Sequence, residues 1–134
     1  VGMICLDNDV LDGFVRPHPD PDVVSYLSNH QTEQWIVPAI VLYEFLSFYN
    51  PSMQNRRRQQ LKKRVDEIGA FDADAASEAA EMESKLQNVG TSLDTADLLM
   101  AAIARERGAT LATRNKNDFD KQPIHQLMDV DIVR

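Results

Sequence analysis

Asp7, Glu44, Asp97 and Asp118 are the side chains whose types and places could do chemistry together. Asp7 closes the apolar run Met3 to Leu6, and Glu44 interrupts the apolar segment AIVLYEFLSFY. Asp97 opens the run LLMAAI, and Asp118 ends the polar stretch RNKND that follows Leu111 to Thr113. Carboxylates brought close raise one another's pKa unless a cation neutralises them. No histidine or cysteine has metal-ligand spacing beside them, and an all-oxygen donor set selects a hard cation, Mg²⁺ or Mn²⁺. Such a centre activates water and stabilises charge on a phosphoryl group. Two residues compete for the fourth place. Asn115 is nearer the strand end but binds a cation through one neutral oxygen; Asp118 is charged but a turn further on, where it could instead cap a short helix near Phe119. The charge favours Asp118, with Asn115 fixing the loop or a water.

Those acids converge only if the elements carrying them form a parallel sheet. Met3 to Leu6 reads as a strand, and Asp7, Asn8 and Asp9 either occupy its carboxyl edge functionally or cap the short helix through Val10, Leu11 and Phe14. RPHPDP, residues 16–21, is a rigid loop, followed by a helix over 22–29 and a strand over Gln34 to Val37. Pro38 suits the first turn of the next helix, which is apolar nearly all round and therefore expected to be buried with Glu44 in its middle. A carboxylate there is costly unless paired, bonded or bound to a metal; its bland alternative is a stem that packs while the head reaches water or an arginine. A helix stopping at Gly69 and a short strand over Ala70 to Asp72 come next. Residues 74–88 place Ala75, Ala79, Met82 and Leu86 on one helical stripe. Asp94 is expected to cap the helix that carries Asp97, Gly108 to stop it, and Val130 to Val133 to form the last strand. Strands alternating with helices define the α/β class, and right-handed crossovers bring the acids to one edge.

Composition narrows the function classes. The chain has 134 residues, 43% hydrophobic and 26% charged, as expected for one globular domain over 1–134. No apolar run approaches the ~20 residues that span a bilayer, and no signal-peptide pattern occurs. Cys5 is the one cysteine, so no internal disulfide forms and a cytoplasmic setting is expected. A formal charge of −7 argues against nonspecific adhesion to nucleic acid by the whole surface. Against that background, NRRRQQLKKR at 55–64 concentrates six cations in a helix with Leu61, Val65 and Ile68 on one face. The helix is either a solvated face or a surface for phosphate or a partner, with Arg57, Arg58 and Lys62 the contact candidates.

LDNDVL at the start, YE in the third helix, TADLLMAA and TLATRNKNDF together resemble the PIN-domain ribonucleases, and within them the VapC-type toxins of toxin–antitoxin pairs. The four motifs stand in the family's order and spacing over nearly the whole chain. The resemblance implies a three-layer α/β/α domain with a central, mostly parallel sheet. It also implies a Mg²⁺- or Mn²⁺-dependent acidic site that cuts single-stranded or loop RNA, a small antitoxin protein as partner, and a possible homodimer. Asp7, Glu44 and Asp97 match the family's three best-kept acids, and Asp118 or Asn115 the fourth. Asn8, Asp9 and Arg114 are supporting candidates, with Arg114 or Lys116 steadying the phosphate. The chain departs from the pattern after Asp7, where Thr or Ser followed by Asn is usual and Asn8 and Asp9 stand instead.

Two other readings compete. A phosphoacceptor receiver domain shares the length and an acidic Mg²⁺ pocket, but needs a lysine after a late strand where this chain has Thr113 and Arg114. A PIN-like binding module that lost its chemistry would follow from the Asn8 and Asp9 departures.

Overall fold

The computed structural model describes residues 2–134. Strand runs β1 (Met3–Leu6), β2 (Gln34–Pro38), β3 (Glu67–Gly69), β4 (Thr110–Thr113) and β5 (Val130–Ile132) form one five-stranded sheet in the order β3-β2-β1-β4-β5. Every neighbouring pair is parallel. The connecting helices are α1 (Asn8–Val15), α2 (Pro21–Ser28), α3 (Ala39–Ser47), α4 (Pro51–Lys62), α5 (Ala73–Asn88), α6 (Thr95–Glu106), α7 (Lys116–Phe119) and α8 (Gln122–His125).

Alternation along the strands feeds two cores. Ile4 and Leu6 of β1 and Ala112 of β4 pack with Val10, Val23 and Leu27 of α1 and α2. Cys5 and Leu111, pointing the other way, pack with Val41, Phe45, Met82 and Met100 of α3, α5 and α6. These are the three α/β/α layers. Cys5 is fully buried, and burial pushes its thiol pKa far above the usual range, so it acts as a neutral packing group. The expected stripe of Ala75, Ala79, Met82 and Leu86 is the buried face of α5. No helix among the described residues is long and apolar enough to cross a membrane.

Three expectations are corrected. The third strand lies at Glu67–Gly69, not 70–72, because α4 ends at Lys62 and the chain turns into the sheet at once. Ile68 is therefore a strand residue and shares no helical face with Leu61. Gly69 does not end a helix; a Cβ there would come within 3.0 Å of Ile36 Cγ2 and 3.1 Å of Ile103 Cγ2, so the glycine lets α6 press close to the sheet. Nor is α3 buried all round: Val41 and Phe45 are, whereas Tyr43 is 72% exposed and Phe48, just past its end, 80%. One side of that helix packs and the other meets solvent.

The register sets the site. Leu6 pairs with Ala112, so β1 and β4 end side by side. The chain builds outward from β1 through β2 to β3, then crosses to β4, making the β1–β4 boundary the point where strand order reverses. Gly69→Ala should cost about 1–3 kcal/mol by overpacking the α6–sheet contact; a urea midpoint equal to wild type would show that the contact relaxes freely.

Candidate active site

Asp7 stands at the reversal point. Its backbone N–H donates to the Ala112 carbonyl at 3.0 Å, continuing the β1–β4 ladder by one residue. It is the N-cap of α1, and its Oδ1 accepts the Asn8 N–H at 2.6 Å. Its Oδ2 accepts the hydroxyl of Thr113, the fully buried last residue of β4, at 2.7 Å. The same carboxylate thus caps α1 and stands at the carboxyl edge of β1. Burial is the main force raising the Asp7 carboxyl to about 7, with the neighbouring charge of Asp9 next; the Thr113 bond and the Asn8 N–H pull the other way, and Asp97 adds to the rise.

Asp97 approaches from the first turn of α6. Burial raises its carboxyl to about 6, followed by the charges of Asp118, Asp94, Glu44 and Asp9. Glu44 is half-buried on α3, raised by burial and then by Asp9. Asp9 is itself raised by burial, against the Arg114 backbone bond it accepts. Asp7, Glu44, Asp97 and Asp118 therefore share one electrostatic neighbourhood. Among the described residues, however, no three histidine, cysteine, aspartate or glutamate side chains are already drawn together as a metal-holding group.

Asp94 takes the N-cap position of α6, yet its side chain accepts no capping bond, contrary to expectation. The NKND turn also reverses an expected role. Asn115 is the N-cap of α7, accepting the Asp118 N–H at 3.3 Å, while Asp118 lies inside that helix rather than capping one. Asn115 Nδ2 in turn donates to Asp118 Oδ2 at 2.8 Å, so the two competitors for the fourth place are bonded to each other. Arg114 Nη1 lies 3.0 Å from Asp20 Oδ2, which occupies the guanidinium expected to steady a phosphate. That guanidinium holds the Asp20 carboxyl below its usual range. Asn8 Oδ1 is buried with no hydrogen-bond partner.

Sequence reading missed Thr113 and Asp20. Thr113 had a signal, a hydroxyl closing a buried strand directly before the polar run; Asp20, inside a proline-rich loop, had none. Arg57, Arg58 and Lys62 all lie on α4 but line two different hollows. Arg57 lines a cavity of about 400 Å³ with Val15, Phe45, Tyr49 and Leu61, whereas Arg58 and Lys62 line a hollow beside β3.

The PIN-domain family model matches residues 4–124. The chain belongs to the PIN-domain family. Among relatives of this PIN domain, toxin FitB of Neisseria gonorrhoeae is 27% identical over 126 residues, covering 87% of this chain and 91% of the relative. VapC ribonuclease Y4jK of Sinorhizobium fredii is 24% identical over 127 residues, covering 88% and 91%. The FitAcB crystal structure from Neisseria gonorrhoeae superposes with a TM-score of 0.76 at 26% identity, covering 96% of each chain. The fold also matches VapBC2 of Rickettsia felis bound to a promoter DNA fragment, with a TM-score of 0.76 at 21% identity and 97% and 98% coverage.

The donor set of this PIN domain fits a hard divalent cation. Every candidate is an oxygen, and burial first and then neighbouring acids raise the Asp7 and Asp97 carboxyls, a cost that a bound cation would relieve. Carboxyls with folded pKa values of about 7 and 6 hold protons in the native state that the unfolded chain, near 4, has released. Their favourable contribution is full below about pH 4 and is lost as pH rises through 6 and 7. Asp97→Asn should therefore raise the melting temperature of the metal-free protein at pH 7.5 by roughly 3 °C, about 1 kcal/mol after allowance for solvent screening. The gain should vanish near pH 4.5. A variant no more stable than wild type at pH 7.5 would show that the acids do not strain one another.

Proposed function

We propose that this chain is a metal-dependent endoribonuclease, the toxin of a toxin–antitoxin pair, acting in the cytoplasm with residues 1–134 as its nuclease domain. The observation that carries the reading is the pair Asp7 and Asp97, acids remote in sequence whose carboxyls are both raised at the edge where strand order reverses. The names of the relatives, a VapC ribonuclease and a FitB toxin, and the toxin–antitoxin assemblies among its structural neighbours support it.

In this reading Asp7, Asp97, Glu44 and Asp118 hold Mg²⁺ or Mn²⁺, which supplies a lowered water pKa and neutralises charge developing on the phosphodiester. Thr113 fixes Asp7 by donating to Oδ2, leaving the carboxylate little rotational freedom. Asn115 does the same for Asp118 through its Nδ2. Asn8 Oδ1, buried without a hydrogen-bond partner, is an acceptor that an ordered water would satisfy. With Arg114 engaged by Asp20, steadying the phosphate falls to Lys116, which is exposed on α7.

Single-stranded RNA incubated across a Mg²⁺ titration tests the assignment. Wild type should cut and Asp97→Asn, folded, should not; cleavage that persists in that variant, or in excess chelator, would sink it. RNA binding without cleavage by the wild type would favour the binding-module alternative. Asp118→Asn should raise the Mg²⁺ concentration for half-maximal cleavage more than Asn115→Ala does, and the reverse order would move the fourth site to Asn115. Because Arg58 and Lys62 line a different hollow from Arg57, replacing these two with Gln tests that hollow. If RNA tracks that hollow, the salt slope of binding should flatten by about 0.7 for each phosphate no longer neutralised; an unchanged slope returns Arg58 and Lys62 to a solvated face.

A further inference from the structure

The turn after β1 carries a carboxylate that the roles above leave unused. Asp9 accepts the Arg114 backbone N–H on both oxygens, Oδ1 and Oδ2, each at 3.2 Å. The contact crosses the β1–β4 boundary beside the Asp7–Thr113 bond, so the two strand exits are laced together twice. Arg114 is also caught by its far end, through Asp20 Oδ2 at 3.0 Å. Asp20 is fixed in its own right as the N-cap of α2, accepting from Asp22 N and Val23 N. Residue 114 is therefore held by backbone and side chain at once. The next residue, Asn115, hands that restraint on to Asp118 through its two bonds.

We propose that Asp9 is a positioning residue whose carboxylate holds the Arg114 turn in register, and through Asn115 sets where Asp118 stands relative to Asp97. The consequence for cation binding rests on the nuclease reading; the restraint itself does not. An amide at this place offers one oxygen to the Arg114 N–H, and the carboxylate offers two. A side chain that merely supported the fold would leave cation affinity alone, whereas removing a partner that orients ligands typically weakens it about 10–100-fold.

The test follows the Arg114 amide by hydrogen exchange in the metal-free protein, Mn²⁺ binding by calorimetry, and RNA cleavage, in Asp9→Asn and Asp9→Ala. In Asp9→Ala the Arg114 amide should exchange about tenfold faster, while the Asp7 and Val133 amides, bonded to the Ala112 and Thr113 carbonyls, keep their protection. Mn²⁺ affinity should fall about tenfold, and kcat should drop with KM within about twofold. Asp9→Asn, which keeps an oxygen acceptor, should recover the amide protection and most of the Mn²⁺ affinity. Asp9→Ser, too short to reach Arg114 yet suited to a first helical turn, replaces Asp9→Ala if that variant does not fold. An Arg114 amide that stays protected in the folded Ala or Ser variant overturns the proposal. So does an Asn variant that loses as much affinity as Ala, since charge rather than the bond would then matter. If the wild type neither binds Mn²⁺ nor cuts RNA, the nuclease reading fails, and the exchange data still decide whether Asp9 holds the turn.

Discussion

A buried carboxylate at the end of a central strand has to be satisfied, and the way Asp7 is satisfied governs much of what surrounds it. Its two oxygens are committed to the Asn8 amide and the Thr113 hydroxyl, which joins the start of α1 to the end of β4. Both contacts favour the charged form, while burial and the acids nearby oppose it. That opposition leaves Asp7 poised near neutrality, and it persists only because a five-stranded parallel sheet with helices on both faces holds the strand ends in place. The hydrophobic cores supply the rigidity, and the acidic edge draws on it.

The same logic separates the basic side chains from the acidic ones. Arg105 is bound to Glu78 and Glu81, Arg107 to Glu67, and Arg114 to Asp20, so cations near the sheet are neutralised by carboxylates outside the site. No arginine in these pairs is spent on Asp7, Glu44, Asp97 or Asp118. An arginine paired to one of them would lower its pKa.

Much of this was legible in the sequence because it depended on local rules. The strands β1, β2, β4 and β5, the α5 stripe of Ala75, Ala79, Met82 and Leu86, and the placing of Asp7 and Asp97 at element boundaries follow from periodicity and capping. What misled were residues whose role is set across the fold. Gly69 reads as a helix stop but makes room for the Ile36 and Ile103 side chains, and the misplaced stop carried β3 with it. The α3 segment reads as buried because composition does not reveal which side lacks a neighbour, and Tyr43 is left in solvent. The tie between Arg114 and Asp20 was hidden because the two lie far apart in sequence. The fourth acid was ambiguous for a physical reason: Asn115 and Asp118 operate as a bonded pair.

The sheet ends on both sides in strands of three residues, Glu67–Gly69 and Val130–Ile132. Each carries an acid tied into the protein, Glu67 to Arg107 on one side and Asp131 to the Tyr26 hydroxyl on the other. Short edges fringed with charge give a foreign strand little backbone to pair with. An all-parallel, apolar sheet thereby resists edge-to-edge association with other copies of the chain.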